Sequence, residues 1–511
     1  MSSFVDALSR VPPLLAAHVQ LAAAAMLLAL VIGLPLGLWS ARRPGVARVV
    51  LGFASLVQTI PGLALLALFY PLLLSLSTLV GGGIPALGFL PALLALTLYA
   101  LLPILRNLVE GLRGIDDGVL RAADAVGMTR TQKLRLVEAP LAAPVAVAGL
   151  RTAAVWTIGA ATLSTTVGCP SLGDMIFAGL QTQSWSLVLA GCVAAAGLAL
   201  VVDAAIGAIQ TGLTTRRRWL WRGATALLAI GVATSTLPLW ASRGGPVVVV
   251  GAKNFSEQYI LARLIGDRLT RAGYTVEYRD GLGSAVAFQA VAGGQVDVYV
   301  EYAGTIWNGA MARRDVVPRP AMIAAIRDWA RAKHGVGLLG GLGFENAYAF
   351  ATRRRDLATI ADLARVAPGL RLGSDLEFLE RPEWAAVRDR YGLRFAGTTP
   401  YSPTFMYRAL ASGRADVITA FSSDGRIAAD RLTVLTDPAG AIPGYDAILL
   451  ASPARADDAR FRAALRPLIG HIPVAAMREA NYRVDRDTDK ETPEAAAHWL
   501  ARRVGLEEQL P

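Results

Sequence analysis

The sequence has only two cysteines, Cys169 and Cys192, and both fall in its first half. Nothing after residue 245 can form a disulfide, so a domain there must rely on its core alone, even on an oxidising side of a membrane. Histidine is nearly as scarce: His18, His334, His471 and His498 are scattered, without metal-ligand spacing. No G-x-x-x-x-G-K-[ST] occurs, which excludes a P-loop cradle for ATP phosphates on this chain. Gly281-Leu282-Gly283-Ser284 is a lone G-x-G, better read as a strand-to-helix turn. No nucleophile, base and orienting group form a constellation, so no catalytic residue, metal or cofactor is expected and the chain does not read as an enzyme.

Charge is missing in a patterned way. Residues 1–245 carry 16 Lys/Arg and 8 Asp/Glu, a net +8, against 34 and 31, a net +3, in the remainder. The total of +11 therefore sits mainly in loops of the apolar half, and no basic-aromatic module accompanies it. Nucleic acid is excluded as a partner. A mean hydropathy of +0.44 with 54% apolar residues points to a lipid bilayer instead.

Apolar runs long enough to cross a bilayer lie at about 15–39, 49–72, 86–105, 144–167, 187–212 and 219–240. The first follows Pro12-Pro13 and is too long for a signal h-region, so no removable signal peptide is expected. Arg42, Arg43 and Arg48 follow the first run, Arg106 to Arg135 the third, and Arg216, Arg217, Arg218 and Arg222 lie between the fifth and sixth. The 73–85 loop has no charge, and the 168–186 loop only Asp174. The positive-inside rule places the N-terminus outside and the arginine-bearing loops in the cytoplasm. Everything after a break near Gly244 is then extracytoplasmic. Arg151 and Asp203 are ionisable residues inside spans, open to interhelical pairing, snorkelling or a pore-lining role.

The cytoplasmic connection 110–144 is more than a linker. It reads Arg121-Ala122-Ala123-Asp124-Ala125-Val126-Gly127, nine residues, then Val137-Glu138-Ala139-Pro140. Ala122 and Ala123 favour helix, Gly127 can end it or open a turn, and Pro140 is expected to stop a second short helix. This spacing resembles the coupling loop of ABC importer permeases, E-A-A, three residues, G, nine residues, I-x-L-P. Ala122, Ala123, Gly127 and Pro140 match, whereas Arg121 stands where the family has Glu. The resemblance implies a cytoplasmic ABC ATPase subunit as partner and a homodimer of this chain in the membrane.

After Pro246 short β-rich runs alternate with amphipathic stretches. Strands are expected at 247–251, 275–278, 296–301, 370–373, 393–397, 415–420 and 432–436, and helices at 256–272, 320–333, 383–391 and 404–412. Alternation over about 265 residues implies two lobes of covered sheet with a cleft. The blocks Lys253–Gln258, Glu301–Thr305, Asn346–Phe350, Met406–Leu410 and Ala420–Arg426 stand in order. Together they resemble the substrate-binding proteins of quaternary-ammonium and osmoprotectant importers, a family in which fused permease-binding chains occur, ergothioneine importers included.

The resemblance implies an aromatic cage of Tyr302, Tyr348, Tyr407 and Phe421 around a methylated ammonium, whose spread charge suits ring faces. Asn254, Ser256 and Thr305 are the implied donors to a ligand carboxylate. Arg381 could hold that carboxylate bidentately or pair with Glu380 or Glu383. The expected fold class is an α-helical membrane permease of the type I ABC importer kind fused to an α/β two-lobed, periplasmic-binding-protein-like domain. Its parts are a five-span permease at 1–215, a sixth span and tether at 216–245, and an extracytoplasmic binding domain at 246–511. The expected place is a bacterial inner membrane, crossed several times. The expected function is ATP-driven import of glycine betaine, choline, carnitine, proline betaine or ergothioneine, with a solute-sensing receptor as the alternative of another class.

Overall fold

A computed structural model describes residues 2–81, 83–182, 184–240, 246–313, 315, 317–401, 403–486 and 488–506. The break near Gly244 lies outside the described residues. The chain divides into two compact units, residues 1–177 with 185–242, and residues 178–184 with 243–511.

The first unit is helical. Val11–Arg42, Phe89–Arg113, Arg130–Val167, Trp185–Thr214 and Arg218–Leu237 are each long and apolar enough to cross a membrane. The expected span at 49–72 is a bent pair, Pro44–Thr59 and Gly62–Leu79, turned by 104°. Pro61 is the reason: it has no N–H to continue the ladder, and Ile60 before it is extended. The Tyr99 hydroxyl donates to the freed Ile60 carbonyl, and Gln58 Nε2 donates to Tyr99 O (3.2 Å). Among the described residues the total is five, or six with this pair counted as one span.

Small residues let the helices close. A Cβ on Gly37 would lie 2.5 Å from Leu108, and one on Gly149 would lie 2.6 Å from the Pro103 carbonyl. Arg151 and Asp203 pair bidentately between Ala139–Ala161 and Trp185–Thr214, with Arg151 Nη2 2.5 Å from Asp203 Oδ2.

The second unit holds two five-stranded sheets. The strands are β1 (Val247–Lys253), β2 (Thr275–Leu282), β3 (Val298–Tyr302), β4 (Gly337–Glu345), β5 (Tyr348–Thr352), β6 (Arg371–Ser374), β7 (Gly397–Pro400), β8 (Val417–Phe421), β9 (Thr433–Val434) and β10 (Asp446–Ala451). One sheet runs β2-β1-β3-β10-β4 and the other β7-β6-β8-β5-β9. In each, parallel strands give way to antiparallel partners at the strand the chain uses to cross lobes. Helices cover the sheets and bury apolar strand residues such as Val248, Val250, Ala349 and Phe350.

The chain crosses between sheets twice, at Asn346-Ala347 and again ahead of β10. The crossings lie side by side, since Asn346 N donates to Tyr445 O (2.9 Å). A cleft opens where they meet. The expected strands before β4 and from β6 onward are present within a few residues, except that 393–397 is displaced to β7. Strands β4, β5 and β10 were not foreseen.

Candidate ligand-binding site

Strand ends and helix starts supply the cleft walls. On one side β1 ends at Lys253, and helix Ser256–Arg271 begins three residues on, its first two residues, Ser256 and Glu257, lining the cleft. β3 ends at Tyr302 and turns at once into a helical segment containing Thr305. On the other side Asp375 caps helix Leu376–Glu380, its Oδ1 accepting from Phe378 N (2.8 Å). Arg381, held extended before Pro382, follows directly. Phe421 closes β8. The enclosed volume is about 600 Å³.

Of the eight residues expected to touch ligand, the structure brings seven to this cleft: Asn254, Ser256, Tyr302, Thr305, Tyr348, Arg381 and Phe421. Tyr407 is not among its lining. It packs in a separate buried cluster with Met406, Leu410 and Ile418, and its ring lies 5.4 Å from the Arg426 guanidinium. Arg426, which does line the cleft, stands on that side of Tyr407.

Three aromatics that sequence reasoning left unassigned line the cleft as well, Phe255, Tyr401 and Tyr445. Phe255 and Phe421 are parallel within 5°, with centroids 6.4 Å apart. Tyr348 meets Phe421 at 4.9 Å and receives Tyr445 edge-on at 5.9 Å. Phe255 sits inside a matching block and was findable from its position. Tyr401 and Tyr445 carry no such signal.

The tyrosines are engaged by the protein's own charges. Lys253 Nζ lies 5.3 Å from the Tyr302 ring and pairs with buried Glu301. The Arg381 guanidinium lies 5.6 Å from the Tyr348 ring. Arg381 Nη1 is also 3.6 Å from Glu383 Oε1, which accepts from the Tyr445 hydroxyl as well. The two readings open for Arg381 are thus compatible: it pairs with Glu383 and still faces the cleft. Ser256 is committed, its hydroxyl donating to Asp485 Oδ1 (2.5 Å). Burial pushes the Asp485 carboxyl up to about 6, with Arg426 opposing and Asp424 adding to the shift.

An aromatic-walled cleft in a two-lobed α/β unit is the receptor expected for a methylated cation, and comparison with known proteins bears on the lineage. Residues 246–502 match the family described as the substrate binding domain of ABC-type glycine betaine transport systems. The chain belongs to this family. Residues 33–219 match binding-protein-dependent transport system inner membrane components. An ergothioneine transport permease/ergothioneine binding protein of Helicobacter pylori is 27% identical over 501 residues, covering 94% of this chain and 88% of that protein. The choline transport system permease protein of Bacillus subtilis is 38% identical over 197 residues, 39% of this chain and 85% of the relative. A carnitine transport permease protein of Listeria monocytogenes is 39% identical over 199 residues, 39% of this chain and 86% of the relative.

The polypeptide is therefore an ABC importer permease, of the inner-membrane kind, fused to a betaine-type binding domain of the extracytoplasmic kind. Its permease unit carries the loop that sequence reading assigned to coupling. Helix Asp117–Ala125 is capped by Asp116, and the next helix opens with a capping box between Thr129 and Gln132. Gly127 joins them at φ +77°, where a Cβ-bearing residue is strained. Lys133 Nζ closes the hairpin onto Asp124 (2.8 Å). Ala123 is buried, and Ala122, Gly127 and Pro140 are exposed.

One expectation about the loop fails. Pro140 does not stop the second helix, because the chain stays helical from Arg130 through Ala161. Residues Leu134–Glu138 widen by one residue per turn, so that Ala139 N reaches back to Leu134 O. The wider turn accommodates the proline ring, which an ordinary α turn would press against the carbonyl four residues earlier.

Proposed function

We propose that this chain is the membrane-spanning and substrate-capturing subunit of an ATP-driven importer of small quaternary-ammonium compounds. A separate cytoplasmic ABC ATPase supplies the energy, and two copies of the chain pair in the membrane. Residues 1–215 are the permease, 216–245 a sixth span and tether, and 246–511 the trap. The observation that carries the reading is the group of rings Phe255, Tyr348 and Phe421 meeting at one place in the cleft, with Arg381 beside them. A methylated ammonium has no N–H to donate, and ring faces attract it by roughly 0.5–2 kcal/mol each. Arg381, with Asn254 and Thr305, would take the carboxylate of a betaine.

A second reading concerns the ligand's body. Asp424 and Asp485 line the same cleft and offer acceptors that glycine betaine has no N–H groups to use. A betaine with ring N–H donors, of which ergothioneine is one, would use them. Calorimetric titration of the full-length protein in nanodiscs against glycine betaine, proline betaine, carnitine, choline and ergothioneine tests both readings. Binding of none of them overturns the proposal. Tightest binding by ergothioneine selects the second reading. Co-purification with an ATPase whose activity rises with the bound solute separates importer from receptor.

A further inference from the structure

Glu257 is fully buried, yet it lines the cleft. Its carboxylate is held by neutral donors, Ser423 among them, and three more come from separate places in the fold. The Tyr302 hydroxyl, at the end of β3, donates to Oε1 (2.6 Å). Asn346 Nδ2, in the first crossing, donates to the same oxygen (3.1 Å). Asn481 Nδ2, in helix Val474–Asp485, donates to Oε2 (2.8 Å) and also to Ser423 O of the other lobe (2.9 Å).

Among the described residues no Lys, Arg or His nitrogen pairs with this carboxylate. The charged groups around it are otherwise spoken for. On β1 and β3, Lys253 pairs with Glu301, which also accepts from Tyr299 (3.0 Å). Beyond Ser256 and Asn481, Asp485, Asp424 and Arg426 form their own cluster. A buried carboxylate that has donors but no cation is an uncompensated charge unless something charged arrives or it takes up a proton. Burial does raise its affinity for a proton, against the opposing hydrogen bonds of Ser423, Tyr302, Asn481 and Asn346.

We infer that Glu257 is the counter-charge for the ligand's ammonium: the free cleft stores a proton on this carboxyl, and binding of the cation releases it. The inference rests on the reading of the cleft as a quaternary-ammonium site. The proton leaves to solvent as the ligand's fixed positive charge enters, so with a net cation such as choline the charge of the cleft is conserved, and with a betaine the added carboxylate is balanced by Arg381. Tyr302 links the two events, because its hydroxyl bonds the carboxylate while its ring belongs to the cleft wall. A ring whose phenol donates to a carboxylate is richer in π density and attracts a cation more strongly.

The sign of the pH dependence follows. The ligand favours ionised Glu257, so affinity rises with pH through the free-state pKa of the carboxyl and levels off above it. Full-length protein in nanodiscs, titrated by calorimetry in two buffers of unlike ionisation enthalpy, reads the proton count directly. Choline and its uncharged isostere 3,3-dimethylbutanol serve as one probe pair, and glycine betaine, a zwitterion with the same trimethylammonium head, as a second quaternary ligand. Release of a fraction of a proton with the quaternary ligands, and none with the isostere, is expected at acid pH.

Glu257→Gln keeps the shape and one acceptor, and its fold is checked by the thermal midpoint. It should weaken the quaternary ligands roughly 30-fold, as loss of one partner of a desolvated charge pair does, abolish proton release and leave the isostere within about twofold. Should Glu257→Gln fail to fold, the proton count of Asp485→Asn, which removes the other proton-holding carboxyl of the cleft, decides: release that persists there belongs to Glu257, and release that vanishes overturns the inference. Binding of the quaternary ligands without proton release at any pH, or equal losses for choline and isostere, overturns the inference and leaves the ligand class intact. Equal wild-type affinity for choline and the isostere, with no binding of glycine betaine, overturns the ligand class and the inference together.

Discussion

Tyr302, Tyr348 and Tyr407 enter the cage by the same resemblance, but the fold treats them differently. Tyr348 presents its ring to the cleft beside Phe421, whereas Tyr407 is buried behind the lining, packed on Met406, Leu410 and Ile418 with the Arg426 guanidinium on its other side. Truncating Tyr348 to Ala should weaken a quaternary ligand by about 1–2 kcal/mol, roughly 5- to 30-fold, with Phe421→Ala behaving alike. Tyr407→Ala should instead lower the melting temperature through the cavity it leaves, with the smaller change in affinity. Calorimetry and thermal melts on the same three variants decide, and the reverse ranking would return Tyr407 to the cage. A second residue-scale expectation comes from Asp485. Its folded pKa of about 6 lies above the ordinary carboxylate value, so the stability this group contributes is complete at acid pH and is lost as pH rises through 6. The melting temperature should fall by on the order of several °C across that window, and Asp485→Asn should flatten the fall.

Elements show where sequence pattern was enough and where it failed. Helix Ser256–Arg271 was legible because its uncovered positions, Arg263, Asp267 and Thr270, recur at helical spacing along an otherwise buried helix, and the place of Ser256 in the cleft follows from the short turn after β1. Strand β4 was not legible. Leu338-Leu339-Gly340-Gly341-Leu342-Gly343 lacks β-branched residues, and Gly340 and Gly343 sit at φ +156° and +112° where the ladder to β10 shifts register. Pro61 and Pro140 look alike as breakers in sequence. One bends its helix pair sharply and the other is absorbed by a widened turn, a difference set by tertiary packing that no local rule encodes. The coupling hairpin gives this scale its prediction. Gly127 has open space around its Cβ position, so Gly127→Asp meets no clash inside the chain, only an unfavourable left-handed backbone. The variant should fold and bind solute as wild type while solute-stimulated ATP hydrolysis falls at least tenfold. Normal stimulation in a well-expressed variant would show that the hairpin is not where the ATPase docks.

The division of the molecule into a membrane unit and a ligand trap was the most legible feature, because long unbroken apolar runs give way sharply to short β-rich runs alternating with amphipathic stretches. The number of crossings was less so, since a bent pair counts as one span or none. Charge argues for a crossing. If Pro44–Thr59 and Gly62–Leu79 returned to the side they started from, Phe89–Arg113 would run outward, placing the loop with Arg121, Arg130, Lys133 and Arg135 outside while Arg42 and Arg43 stayed inside. That arrangement violates the positive-inside rule twice, because Arg216, Arg217 and Arg218 would also lie outside. It would also leave the binding unit in the cytoplasm, where no solute to be imported could reach it. A crossing pair removes all three conflicts at once. A reporter that is active only in the cytoplasm should therefore be silent when fused after Pro511 and active when inserted after Arg217. A reporter active only outside, placed in the 80–85 loop, should be active. Cytoplasmic activity at the C-terminus would make the bent pair re-entrant and sink the importer geometry with it.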